Sequence, residues 1–229
     1  MSRDELVRSY LDGQVSRRVF VRRLVATGVS AMAALAYVDI LRRNPASAGT
    51  VGDFYILVRD YSFTPDPAKL KRGQRARFGF SQFSQHTHSA TDTSPLALFD
   101  TGLSAAGSVK FVDRFVAAGT YAYACKQASH VGFMTGTIKV PITVKPKQGP
   151  LGNAFKITWA SGTLSGYVFD VQRKGPNDTT YKAFKTSVTT RSTMFTPGRR
   201  GTFRFRARLR RTSNGATSGW SAPKALEVT

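Results

Sequence analysis

The chain has 229 residues, with 34 Lys or Arg against 13 Asp or Glu, a formal net charge of +21, one Cys and three His. That length can bury the core of one or two domains, and 41% apolar residues exclude a wholly disordered chain. A single Cys excludes an internal disulfide, and the strongly basic balance favours anionic partners without naming one.

In chain order, the first feature is Ser16-Arg17-Arg18-x-Phe20, followed by a mildly apolar run from Leu24 to Val38 and by Ala46-Ser47-Ala48. A twin arginine before an apolar run and a small-residue cleavage site resembles the signal of the bacterial twin-arginine export route. The resemblance implies that residues 1–48 form a signal helix. It also implies that the rest is exported, already folded, to the periplasm, cell envelope or exterior. The run is short for a membrane span and Asp39 interrupts its end, so cleavage is expected rather than anchoring. Residues 1–48 hold only eight basic and four acidic side chains, so the basicity belongs mainly to residues 49–229.

From Phe54 to Val144 the sequence reads as strands and turns. "FYILVRDYSF" alternates loosely, "ARFGFSQF" presents Phe78, Phe80 and Phe83, and "SVKFVDRF", "GTYAYAC" and "GTIKVPITV" are bounded by Gly or alternate. "KPKQGPLGN" (145–153) reads as a linker, and a second strand series then runs through "AFKITWA", "SGYVFDVQRK", "YKAFKTS", "TFRFRARLRR" and "KALEVT". The expected class is all-β, two β-sandwiches in tandem, with domains at 49–146 and 147–229.

Chemistry concentrates in "YAYACKQASHVGFMTGTIKV". Cys125 is followed after four residues by His130, and after three more by Met134. A thiolate, two imidazoles and a weak thioether are the donors of a blue-copper electron-transfer site. The second imidazole must come from "SQHTHSATD", where His86 and His88 lie two apart and face the same way on an extended strand. Zinc is the nearest chemical rival, but structural zinc sites seldom use Met and the chain has no Cys pair.

Four segments in order carry a family resemblance: "HSATD", "LFDTGL", "AGTYAYAC" and "HVGFMTGTIKV". Together they resemble the ligand segments of cupredoxins of the plastocyanin and azurin kind. The resemblance implies a Greek-key β-sandwich over residues 49–146 and one type 1 copper ion held by His88, Cys125, His130 and Met134. Family members often place Asn directly after the first His to brace the copper loop; here Ser89 stands there. His86 is extra to the pattern and reads as a surface residue, a group that orients a ligand, or an alternative ligand. In such proteins the C-terminal His presents its ring edge to solvent through an apolar patch. By position that ring is His130, with Val131 and Phe133 as the electron-exit patch.

Residues 147–229 resemble a fibronectin type III module, with Trp159 on an early strand and "TSGWSAP" before the last one; the late-strand aromatic is Phe203 rather than Tyr. Arg204, Arg206, Arg208 and Arg210 alternate with apolar residues, which puts four guanidinium groups on one sheet face. That face is either a solvated surface or a binding face for anionic cell-envelope polymer; specific nucleic acid binding does not suit an exported protein.

A filled ligand sphere leaves no open metal position for a substrate, and the sequence has no nucleophile elbow or phosphate-binding Gly loop. The expectation is therefore an exported electron carrier acting with redox protein partners, not an enzyme. The alternatives are a copper-delivery protein with the same ligands, and a scaffold or adhesion protein whose sandwich holds no copper.

Overall fold

Alternation of apolar and polar residues organises the chain beyond Gly52 into sixteen strands. The computed structural model describes residues 6, 15–30 and 52–229, and the chain divides into two units, Met1–Gly52 and Asp53–Thr229.

In the first unit, helix α1 (Arg17–Ala26) begins after Ser16 and ends at Thr27, whose hydroxyl donates to the Leu24 carbonyl, 2.8 Å. Among the described residues no helix is long and apolar enough to cross a membrane. The Ala46-Ser47-Ala48 motif and most of the apolar run lie outside the described residues.

The second unit opens with β1 (Phe54–Arg59), β2 (Ser62–Thr64), β3 (Ala68–Lys69), β4 (Arg75–Phe80), β5 (Thr91–Asp92), β6 (Val109–Arg114), β7 (Gly119–Ala124) and β8 (Thr135–Val140). These form two four-stranded sheets, β2-β1-β4-β6 and β3-β8-β7-β5, with β1 parallel to β4 and β7 antiparallel to β8. The sheets face each other across an aromatic core. The Tyr123 ring of β7 packs edge-on against Phe63 of β2 and Phe78 of β4, with centroids 4.7 and 5.4 Å apart. Phe83, expected as an inward position of the β4 run, lies beyond the strand and is exposed.

The remaining strands are β9 (Thr143–Lys145), β10 (Gln148–Gly149), β11 (Phe155–Thr158), β12 (Tyr167–Lys174), β13 (Lys182–Val188), β14 (Ser192–Phe195), β15 (Gly201–Arg211) and β16 (Lys224–Val228). They form sheets β14-β11-β9 and β10-β16-β15-β12-β13. "GTIKVPITV" is thus two strands, not one. Pro141 cannot donate to a ladder, so the run breaks there: β8 stays with β7, while β9 crosses to pair with β11. The 145–153 segment, read as a linker, contributes β10.

The arginine face of β15 engages its own surroundings. The Arg206 guanidinium lies 4.0 Å from the Tyr181 ring centroid and 4.8 Å from that of Trp220, and Arg208 lies 4.6 Å from Trp220. Arg210 donates twice to the Asp170 carboxylate, at 3.0 and 3.1 Å, and Arg208 donates once at 3.2 Å. Arg204 is exposed.

The two sheet systems meet at β7. Thr120 and Gly219 exchange both backbone hydrogen bonds at 2.9 Å, and the Thr120 hydroxyl donates to the Trp220 carbonyl, also 2.9 Å. Ala118 N–H donates to the Trp159 carbonyl, 2.7 Å, and Tyr121 OH to the Ala117 carbonyl, 2.9 Å. These bonds fix the strand that leads into Cys125.

Two outcomes are expected. A Cβ on Gly136 of β8 would sit 2.4 Å from the buried Tyr123 ring, so Gly136→Ala destabilises the protein by about 1–3 kcal/mol in urea unfolding. For Asp170, burial opposes ionisation, but Arg210, the Ser187 N–H and Arg208 outweigh it and lower the carboxyl below its usual range. Its contribution to stability is therefore full above the unfolded-state carboxyl range of about 4 and is lost as pH falls through the lower folded value. Asp170→Asn lowers the unfolding midpoint at pH 7, and the deficit shrinks toward pH 2; a deficit independent of pH contradicts this account.

Candidate metal centre

Cys125 follows the last residue of β7, where the alternation of buried Tyr121, Tyr123 and Cys125 points its side chain inward. The chain then makes a single 3₁₀ turn, Ala128–His130, capped by the Gln127 side chain accepting from Ser129 N–H, 2.6 Å. The turn brings His130 back over the sulfur. Met134 closes the loop: its N–H donates to the His130 carbonyl at 3.1 Å and its carbonyl accepts from Cys125 N–H at 3.0 Å. The Met134 side chain is buried.

His88 arrives from the segment before β5. It exchanges backbone hydrogen bonds with Ser104, 2.8 and 3.1 Å, and its neighbour Ala90 donates to the Thr101 hydroxyl, 2.8 Å. Thr101 of "LFDTGL" and Ser104 just after it therefore hold the histidine segment in place. Ser89 joins it to the cysteine loop. Its N–H donates to Cys125 Sγ, 3.4 Å, and its buried hydroxyl accepts from Lys126 N–H, 2.8 Å. This is the bracing contact that the resemblance assigns to Asn. Gln127 N–H also donates to Sγ, 3.4 Å.

The donors converge. His88 Nδ1 is 3.9 Å and His130 Nδ1 3.7 Å from Cys125 Sγ, and the three ligand atoms lie within 4.8 Å of one another. Bonds of about 2.3 Å to sulfur and about 2.0 Å to imidazole nitrogen, opened to about 120°, would separate the sulfur from each nitrogen by roughly 3.7 Å. The residues present therefore fit one trigonally held ion. His88, Cys125 and His130 are all buried.

Asp60 joins the candidate site without having been marked by the sequence. Its Oδ1 lies 2.8 Å from His88 Nε2 and 3.4 Å from His86 Nδ1, and its Oδ2 accepts from Gln85 N–H at 3.0 Å. Burial opposes ionisation, but these bonds outweigh it and hold the carboxyl at about 2. An ionised Asp60 accepts the Nε2 proton of His88 and leaves Nδ1 bare toward the sulfur, the tautomer a metal needs. Burial, together with the nearby His88 and His86, pushes the His130 imidazole below its usual range against the pull of Asp60. That too favours the neutral ring. His86 is partly exposed and stands outside the three-donor cluster, its ring 5.2 Å from that of His130 and perpendicular to it.

Val131 and Phe133 are 63% and 57% exposed. His130 differs from the expectation of a solvent-facing ring edge: it is fully buried. Its ring stacks on His88 at 4.8 Å and is met edge-on by Tyr61 at 4.7 Å, with Phe133 at 6.1 Å. Tyr61 and Asp60 share one turn, and both reach residues far along the chain. "RDYS" sits where "FYILVRDYSF" loses its alternation, between two strands that pair Arg59 with Ser62.

No protein-family model and no curated protein matches the chain. Among solved structures it is similar to variants of amicyanin. One is a reduced Cu(I) form at pH 4, 16% identical, covering 41% of this chain and 87% of that chain with a TM-score of 0.34. Another is a reduced variant, 18% identical with the same coverage and TM-score. A third is an oxidised variant, 14% identical, covering 42% of this chain and 87% of that chain with a TM-score of 0.33.

Removing the acceptor on His88 frees its tautomer. Asp60→Ala is expected to weaken Cu(II) affinity by about 10–100-fold, with Asp60→Asn, which keeps an acceptor, recovering much of the loss. Competition with a chelator of known strength measures it, and unchanged affinity in Asp60→Ala contradicts the assignment.

Proposed function

We propose that the chain is an exported type 1 copper protein that carries single electrons, in which His88, Cys125 and His130 would hold the ion as strong ligands and Met134 would add a weak thioether. The observation that carries this reading is the convergence of one sulfur and two imidazole Nδ1 atoms at metal-bridging separations among buried side chains. Copper in such a set alternates between cuprous and cupric states and stores one electron.

The residues do the rest. Ser89 and Gln127 amides hold the sulfur, Asp60 orients His88, and the β7–β8 pairing fixes the loop ends, so the donors need little rearrangement between oxidation states. Burial of all three donors leaves no approach for a substrate, which suits a carrier rather than an enzyme. Val131 and Phe133 provide an exposed apolar contact beside the site for brief docking of a redox protein partner.

In this reading the twin-arginine segment exports the folded protein. Residues 147–229 act as a fibronectin type III-like support, and the tie through Thr120 and Gly219 is consistent with that support reaching the copper domain.

The test is a Cu(II) titration of the metal-free protein. The expected result is one equivalent bound with intense visible absorption from the thiolate, bleached by reductant, restored by oxidant and abolished in Cys125→Ser. Tight binding without the absorption, or no binding, contradicts the proposal.

A further inference from the structure

Tyr61 occupies a backbone position that its side chain disfavours. It is the second residue of the two-residue turn between β1 and β2, with φ of +66°, in the left-handed region that suits Gly or Asn and is unusual for a bulky residue. Burial of its own side chain does not hold it there, since Tyr61 is 54% exposed. What the position achieves is contact. The ring lies edge-on to His130, 4.7 Å between centroids, with Phe133 at 5.8 Å and His86 at 6.1 Å.

The consequence falls on His130. With His88 stacked on it and Tyr61 meeting it edge-on, the ring is fully buried and its Nε2 has no hydrogen-bond partner. A remote nitrogen open to water would be satisfied without cost, so closing this edge works against solvation. Departures from local turn chemistry gather where a site requires them. The same turn carries Asp60 to His88, so two adjacent residues govern both imidazoles.

We propose that Tyr61 is a positioning residue whose ring seals the solvent edge of His130 and so limits the access of water and small reagents to the Cys125–His88–His130 site. The seal itself stands on the geometry of the metal-free chain. Its consequence for copper rests on the electron-carrier function proposed for this site: copper leaves for a small chelator only as fast as the Tyr61 ring swings aside.

The test compares wild type with Tyr61→Gly, which removes the ring and takes the positive φ freely, and Tyr61→Phe, which keeps the ring. The first arm treats metal-free protein with diethyl pyrocarbonate and maps modified histidines by mass spectrometry. His130 is expected to react at least about tenfold faster in Tyr61→Gly than in wild type or Tyr61→Phe, because a buried group reacts only from its open population. Equal His130 rates in all three proteins, or a Tyr61→Phe rate matching Tyr61→Gly, overturn the proposal. Unfolding midpoints of the three proteins check that Tyr61→Gly remains folded, as the relief of its φ predicts.

The second arm follows loss of the visible absorption of copper-loaded protein in excess cyanide, with faster loss expected in Tyr61→Gly alone. If no protein binds copper, the functional proposal fails while the first arm still decides whether Tyr61 seals His130.

Discussion

The centre depends on one backbone amide, Ser89 N–H, which reaches the Cys125 sulfur at 3.4 Å across 36 residues of chain. Closing a loop of that length has an entropic cost that one hydrogen bond does not offset. The surrounding structure supplies the remainder. The Ser89 hydroxyl takes the Lys126 amide, Thr91 pairs with Ala124 across β5 and β7, and Ser104 and Thr101 grip the backbone at His88 and Ala90. The donors are thus assembled by the sandwich itself.

The second sheet system extends this constraint. Gly219 and Trp220 bond to Thr120, and Trp159 bonds to Ala118, on either side of the point where β7 begins. On the far side, Trp220 lies against Arg206 and Arg208, and Arg208 shares Asp170 with Arg210. A chain of contacts thus runs from the arginine face through Trp220 to the strand bearing the sulfur. This gives the C-terminal region a structural part in positioning the strand that leads into Cys125.

The sequence revealed those parts of the fold and site that are local in the chain. Cys125, His130 and Met134 lie within ten residues, and their spacing is the geometry of one loop, so it could be read directly. The alternation along β15 likewise named its buried and polar faces. What stayed hidden was set by contacts distant in sequence. Asp60 serves His88 from 28 residues away, and nothing in "VRDYSF" marks its carboxylate as different from that of any turn. The burial of His130 depends on Tyr61, whose unusual backbone angle has no sequence signature. The partners of Arg206, Arg208 and Arg210 come from β12, Tyr181 and Trp220, which alternation alone cannot place. Pro141 is plain in the sequence, but the residues on both sides have strand character, so alternation alone does not show that the two halves join different sheets.

The central claim is that sulfur 125 and the Nδ1 atoms of His88 and His130 bind one copper ion. X-ray absorption at the copper edge of the loaded protein examines this most directly. The account predicts one sulfur and two imidazole nitrogens at bonding distance, with the sulfur contribution disappearing in Cys125→Ser. A spectrum of nitrogen and oxygen neighbours alone, identical in the two proteins, would contradict it.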